Sequence, residues 1–310
     1  MKRNLFLILF VFCSITVLPQ QVPQFSQNMF NKLANNPAFA GSRDAISTTV
    51  LHRSQYMGFE GGPTTLNLSV DAPISLIHGG LGLNITQDQI GEVELNTLDI
   101  KGSYAYTTEL GSGQLGIGLS FGIVQTGIDI TNLRIEQQND QAVPAASSSG
   151  SVFDLGAGLY YNSEDVYMGL SSTHLSEPTI ETDDSDIPLE RHYFLIAGYY
   201  YFLNPNLSLN PSIYLKSDGA SSQLDINSNV IYDNKIWGGL SYRHAENLSE
   251  GGPELAILTG MNITSDLKFG LAYDIVLSSI GNNSLEFMLG YDFKIKTDKD
   301  PTRYKNPRFL

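Results

Sequence analysis

Five histidines are the first residues that could do chemistry: His52, His78, His174, His192 and His244. No two stand four residues apart, as paired ligands on one helix would, and no cysteine accompanies them, so the pattern points away from a metal centre. His174 close behind Ser171 and Ser172, and His244 close behind Ser241, have the residue types of a serine hydrolase, but no nucleophile motif surrounds either serine. Histidines isolated near strand ends fit interfacial hydrogen bonding better. The densest acidic run, ETDDSD over 181–186, offers oxygens for a calcium ion, yet it lacks the glycine and distant glutamate of an EF-hand loop. A solvated loop tip is the preferred reading. No cofactor and no metal are expected.

The residues must be positioned by strands. In 284–296, SLEFMLGYDFKIK, Leu285, Phe287, Leu289, Tyr291, Phe293 and Ile295 share one face, and Glu286, Asp292, Lys294 and Lys296 share the other. Period two means a strand between unlike environments. The same alternation predicts strands over 44–56, 63–73, 79–87, 93–107, 113–128, 151–162, 166–175, 190–203, 206–216, 222–233, 235–245, 253–263, 266–278 and 284–296. In 193–202, YFLIAGYYYF, both faces are apolar and the register is illegible. Many of these runs are long for a soluble sandwich. They suffice to cross an apolar band of about 25 Å when tilted. Tight turns rich in Asn, Asp, Ser and Pro alternate with longer loops at 129–150, 176–189 and 246–252. Aromatics gather near strand ends at Tyr104, Tyr106, Tyr160, Tyr161 and Tyr199–Phe202. These features predict an all-β fold: a transmembrane antiparallel β-barrel of about 14 strands, with both termini on the periplasmic side.

Composition agrees with export. Lys2 and Arg3 precede an apolar run from Leu5 to Leu18, too short for a comfortable membrane helix, so 1–20 read as a signal peptide. Cys13, the single cysteine, lies inside it, and the mature chain would carry neither disulfides nor thiolate sites. The net charge of −14 becomes −16 once Lys2 and Arg3 leave, which argues against nucleic acid as a partner. The expected division is 1–20 signal, 21–43 an N-terminal periplasmic or lumen-plugging segment, 44–297 barrel, and 298–310 a basic periplasmic tail.

The inward face is small and mixed, with Gly156, Gly158, Gly270, Gly290, Asn67, Ser69, Asp71, Asp274 and Asp292. Its glycines permit close approach of another backbone. Residues 21–43 could fold back into that lumen or cap its mouth, with Ser26 capping a short helix over 27–34, Asn35-Asn36-Pro37 ending it, and Phe25, Phe30 and Phe39 against the wall. A plain periplasmic lead-in is an equal alternative. The tail TDKDPTRYKNPRFL, with Lys299, Arg303, Lys305 and Arg308, reads either as a docking peptide for a periplasmic component or as a solubilising end.

QFSQNMFNKLANNPAFAGSRD, followed by HRSQYMGFEGGPTTLNLSVDAPI, resembles the PorP/SprF family of the type IX secretion and gliding apparatus of Bacteroidota. The matching pieces are Pro23–Gln27, Met29-Phe30-Asn31, Asn36–Gly41, and Arg53-x-Gln55-x-x-Gly58 leading to Gly62-Pro63, with GLGLNITQDQIG at 80–91 fitting the same pattern. Tyr56 stands where Trp is common and Phe39 where Tyr is common. The resemblance implies an outer-membrane barrel that is not an enzyme. It implies as partners a secreted type IX substrate, commonly an adhesin with a type B C-terminal domain, and the periplasmic secretion or gliding machinery. Phe25, Met29, Phe30, Phe39, Arg53 and Gln55, with Arg303, Lys305 and Arg308 of the tail, are the expected partner-binding residues. The competing expectation is a diffusion channel or hydrophobic-solute transporter.

Overall fold

A computed structural model describes residues 22–43, 45–91, 94–129, 147–183, 186–245, 253–278 and 282–294. The expected signal peptide over 1–20 and the expected basic tail, with Arg303, Lys305 and Arg308, lie outside these residues. So do Ser185 and one aspartate of the acidic run, and 142–146 of the loop after β5.

The wall is one antiparallel sheet closed on itself. Its strands are β1 (Ala45–Ser54), β2 (Thr64–Ile74), β3 (Gly79–Ile90), β4 (Glu94–Leu110), β5 (Gly113–Asp129), β6 (Ser148–Asn162) and β7 (Val166–Thr173). After a small hairpin, β8 (Thr179–Glu181) with β9 (Asp186–Pro188), come β10 (His192–Tyr199) and β11 (Tyr201–Asn204). The sheet ends with β12 (Leu207–Ser217), β13 (Ser222–Tyr232), β14 (Ile236–Ala245), β15 (Glu254–Asn262), β16 (Leu267–Val276) and β17 (Ser284–Lys294). β10 and β11 both pair with β12 and form one wall strand broken at Tyr200, so the closed barrel has 14 strands. The seam is β1 against β17, where Ala45 faces Lys294 and Ser54 faces Leu285.

Alternation places the side chains. Leu66, Leu119, Phe121, Phe153, Leu240, Phe287 and Leu289 point outward and are exposed, giving an exterior suited to hydrocarbon. Their neighbours Asn67, Ser69, Ser120, Asp154, Ser241 and Glu286 point inward and are buried. The turns after β2, β4, β6, β11, β13 and β15 are short and lie at one end. The connections after β1, β5, β7, β14 and β16 are longer and lie at the other. The beginning of β1 and the end of β17 sit at the short-turn end.

Two readings of the sequence need correction. No α-helix forms over 27–34. The chain turns at 26–30 and makes 3-10 turns at Lys32–Ala34 and Pro37–Phe39. Ser26 donates its hydroxyl to Asp274 across the barrel, at 2.6 Å, and so does not cap. Asn36, expected to stop a helix, caps the second turn by accepting from the Ala38 amide at 2.9 Å. The strand expected over 166–175 stops at Thr173, because His174 takes a left-handed conformation with φ +53°.

Candidate functional site

Residues 22–43 run through the lumen, and the inward side chains of the wall receive them. Phe25 and Met29 pack with Leu51, Trp237, Ala256, Leu258, Ala272 and Met288. Phe30 lies 4.4 Å from the Trp237 ring, and Phe39 meets Tyr160 edge-on at 5.1 Å. Wall glycines make the room: a side chain added at Gly118 would start 2.2 Å from the Ala38 nitrogen, and one at Gly116 2.4 Å from the Ala38 oxygen. These positions admit glycine because another backbone passes over them.

Toward the long-loop end the segment is held by a buried ionic cluster. Arg53 sits 2.7 Å from Asp274 and 3.3 Å from Glu286, and all three side chains are fully buried. Arg243 sits 2.6 Å from Glu254 and 3.0 Å from Asp225. Strand register builds both groups, since Arg53 is the cross-strand partner of Glu286, and Arg243 stands between Asp225 and Glu254. Two guanidinium groups thus face four carboxylates. The segment supplies further donors. The Ser26 and Gln27 amides bind Glu286 at 2.8 and 2.9 Å, the Ser26 hydroxyl binds Asp274, and the Asn28 side chain donates to Asp225 at 3.3 Å. Buried carboxylates are tolerated only with such partners.

Further along, Asn31 donates to Asn67 at 2.7 Å, Asn35 to the Tyr214 hydroxyl at 2.9 Å and Asn36 to the Leu159 carbonyl at 3.0 Å. At the short-turn end the Gly41 amide and the Arg43 guanidinium both bind Asp71. The Asn-rich composition of 22–43 therefore serves a segment that has no regular backbone pairing and must find partners with its side chains.

A second cluster lies on the opposite wall. Lys101 contacts Asp99 at 2.6 Å and Asp154 at 3.1 Å, and His174 Nδ1 approaches Asp154 at 3.1 Å. Ser171, one candidate nucleophile, donates instead to the Asn35 carbonyl at 2.7 Å. Ser241 and His244 are on opposite faces of β14 and cannot pair. Among the described residues no group of three His, Cys, Asp or Glu is arranged to hold a metal.

The sequence-derived candidates therefore divide. Phe25, Met29, Phe30 and Arg53 come together inside the barrel, Phe39 packs apart from them in a second buried cluster with Tyr160, and Gln55 begins the connection after β1, its amide bound to the Pro63 carbonyl at 2.8 Å. Arg243, Asp225, Glu254 and Glu286 escaped sequence reasoning as a group. The available signal was a charge on the inward parity of each strand, but parity does not say which strands are neighbours in height.

Over residues 17–291 the chain matches the family described as type IX secretion system membrane protein PorP/SprF. The chain belongs to the PorP/SprF family. Among curated proteins, none matches it in sequence. Among solved structures, the barrel is similar to CymD, a monoaromatic hydrocarbon channel, at 12% identity, 87% coverage of this chain and 93% of that one, with a TM-score of 0.52. Omp33 of Acinetobacter baumannii (9% identity, 80% and 99% coverage, TM-score 0.49) and the P. putida toluene transporter TodX (11%, 85% and 94%, 0.49) are also similar. At these identities the likeness is one of fold alone. This PorP/SprF protein is an outer-membrane β-barrel of a secretion family.

Proposed function

We propose that this protein is a partner-binding barrel of the type IX apparatus. It holds a secreted polypeptide, such as an adhesin with a type B C-terminal domain, for export or surface anchoring, and its short-turn end, where β1 begins and β17 ends, faces the periplasm and its machinery, while the luminal segment reaches from there toward the long-loop end. The observation that carries this reading is the occupied lumen. Residues 22–43 fill the space that a diffusion channel would keep open, and three of the four carboxylates near the long-loop end, Asp225, Asp274 and Glu286, draw on donors from that segment. Such a barrel acts by positioning a partner, without catalysis. The basic tail with Arg303, Lys305 and Arg308 is suited to a periplasmic contact.

Two measurements test the proposal together. Deleting the gene should remove one large secreted protein from the cell surface, and purified protein in planar bilayers should conduct almost no current. A stable open-pore conductance with an unchanged set of surface proteins would overturn it in favour of a solute channel.

A further inference from the structure

β6 is unevenly supported. On one side it pairs with β5 along its whole length, from Ser148 opposite Ile128 to Asn162 opposite Gln114. On the other side it pairs with β7 only from Ala157 to Asn162. One more bond follows, from the Leu175 amide to the Leu155 carbonyl at 3.0 Å. The chain then leaves the wall through His174 and Glu177, both left-handed with φ +53° and +46°, and the Glu177 amide closes the turn on the His174 carbonyl. From Ser148 to Asp154, about 20 Å at about 3.3 Å per residue, no strand of the described residues pairs with this edge of β6, and β8 touches only its inner face at Gly150.

The open side has a defined chemistry. In an antiparallel strand alternate residues direct their amide and carbonyl to opposite neighbours. Leu155 faces the β7 side, so Phe153, Ser151 and Ser149 face it too. Their side chains point outward: Ser149 and Ser151 are exposed, and Phe153 is 65% exposed and stacked on Phe121 at 5.4 Å. The stretch SSGSVFD contains no lysine and no proline, the residues that usually guard an edge. Just below, on the outer face, a groove of about 740 Å³ is floored at Gly102 and bounded by Leu119, Phe121, Leu155 and Leu175.

The gap does not open into the lumen. On the inner side, Ile180 of the β8–β9 hairpin packs with Leu189, Val124 and Val152. The Glu181 carbonyl and Ile180 lie against Gly150. A solute therefore gains no passage here. Unpaired main-chain donors and acceptors repeating every second residue are matched by another main chain, and neither lipid nor a small solute offers that repeat.

We propose that the Ser148–Asp154 edge of β6 is a docking site for an extended strand of the secreted partner, added to the barrel wall by main-chain pairing, with one large apolar side chain seated in the Gly102 groove. This rests on the partner-binding reading above and names the surface it uses.

The test uses the full chain in its own cells. Ser149→Cys and Ser151→Cys are made separately, each carrying a benzophenone maleimide, with Thr48→Cys on the fully paired β1 as control. Irradiated adducts are mapped by mass spectrometry. Both edge positions should join the same polypeptide at sites two residues apart, and Thr48→Cys should join none. Adding Ser151→Pro to Ser149→Cys should cut the adduct at least tenfold. That proline removes an amide directed away from β5, so heat-modifiable migration of the barrel should persist. The idea fails if adducts fall on 130–146 or 184–185 of this chain, on lipid, or at scattered sites without the two-residue spacing. It also fails if no adduct forms or the proline has no effect. If deletion of the gene releases the surface partner while Ser151→Pro does not, this edge is rejected and the partner-binding function stands.

Discussion

Glu286→Ala should free the luminal segment. The Glu286 carboxylate accepts the amides of Ser26 and Gln27 at 2.8 and 2.9 Å inside a fully buried site. Hydrogen bonds to a charged group contribute roughly 1.5–3 kcal/mol each, and the loss leaves two amides without an acceptor. Arg53 keeps Asp274 at 2.7 Å, so the wall loses less than the segment does. The docked state of 22–43 should therefore weaken by about 3–6 kcal/mol, a shift of roughly a hundredfold to ten-thousandfold in its undocked population. Met29→Cys gives the readout, because Met29 is 4% exposed and Cys13, the single cysteine of the chain, lies in the expected signal peptide. Maleimide labelling of Met29→Cys should accelerate by at least a hundredfold in Glu286→Ala, with Glu286→Gln between the two because its amide oxygen remains an uncharged acceptor. Equal labelling rates with and without Glu286, in a barrel that still migrates as heat-modifiable, would refute the idea that this carboxylate holds the segment.

Other outcomes follow from the same contacts. Gly118→Val puts a side chain 2.2 Å from the Ala38 nitrogen, so Met29→Cys labelling should rise here too while the barrel still assembles, as read by heat-modifiable migration. Arg243→Ala leaves Asp225 and Glu254 buried without their guanidinium and should cost about 3–5 kcal/mol in denaturant unfolding. Lys235→Ala breaks an exposed pair with Asp233 at 2.7 Å, which water screens, and should leave the unfolding midpoint unchanged in the same assay. Asn36→Ala removes both the cap on Ala38 and the bond to Leu159, and should lower stability by roughly 1–2 kcal/mol, visible as a lower Tm.

The wall was legible in the sequence because lipid and lumen impose opposite demands on successive residues. The strand expected over 113–128 is β5 at Gly113–Asp129, and that over 222–233 is β13 at Ser222–Tyr232. Where the contrast fails, so does the reading: around Tyr200 both faces are apolar, and the break between β10 and β11 left no trace in the pattern. The β8–β9 hairpin was hidden inside a connection read as a plain loop, because strands as short as Thr179–Glu181 carry too few residues to show a period. Ser26 illustrates the deeper limit. Its type and position satisfy a local capping rule, but Asp274, distant in sequence, offers a stronger acceptor. Likewise Arg53 was visible as a motif residue, whereas its partner Glu286 becomes meaningful only once the first and last strands are known to touch.

That last contact has a consequence for how the molecule is made. The two ends of the chain's wall meet at β1 and β17, and it is there that Arg53 finds Glu286 and that Ser26 and Gln27 settle on the same carboxylate. A slip of two residues during zippering would keep every greasy side chain outside and every polar one inside, so hydrophobicity cannot detect it. It would, however, carry the acid away from both its guanidinium and the waiting amides. The luminal segment thus checks the final stitch of its own cylinder, rewarding a single alignment among several that the bilayer would accept.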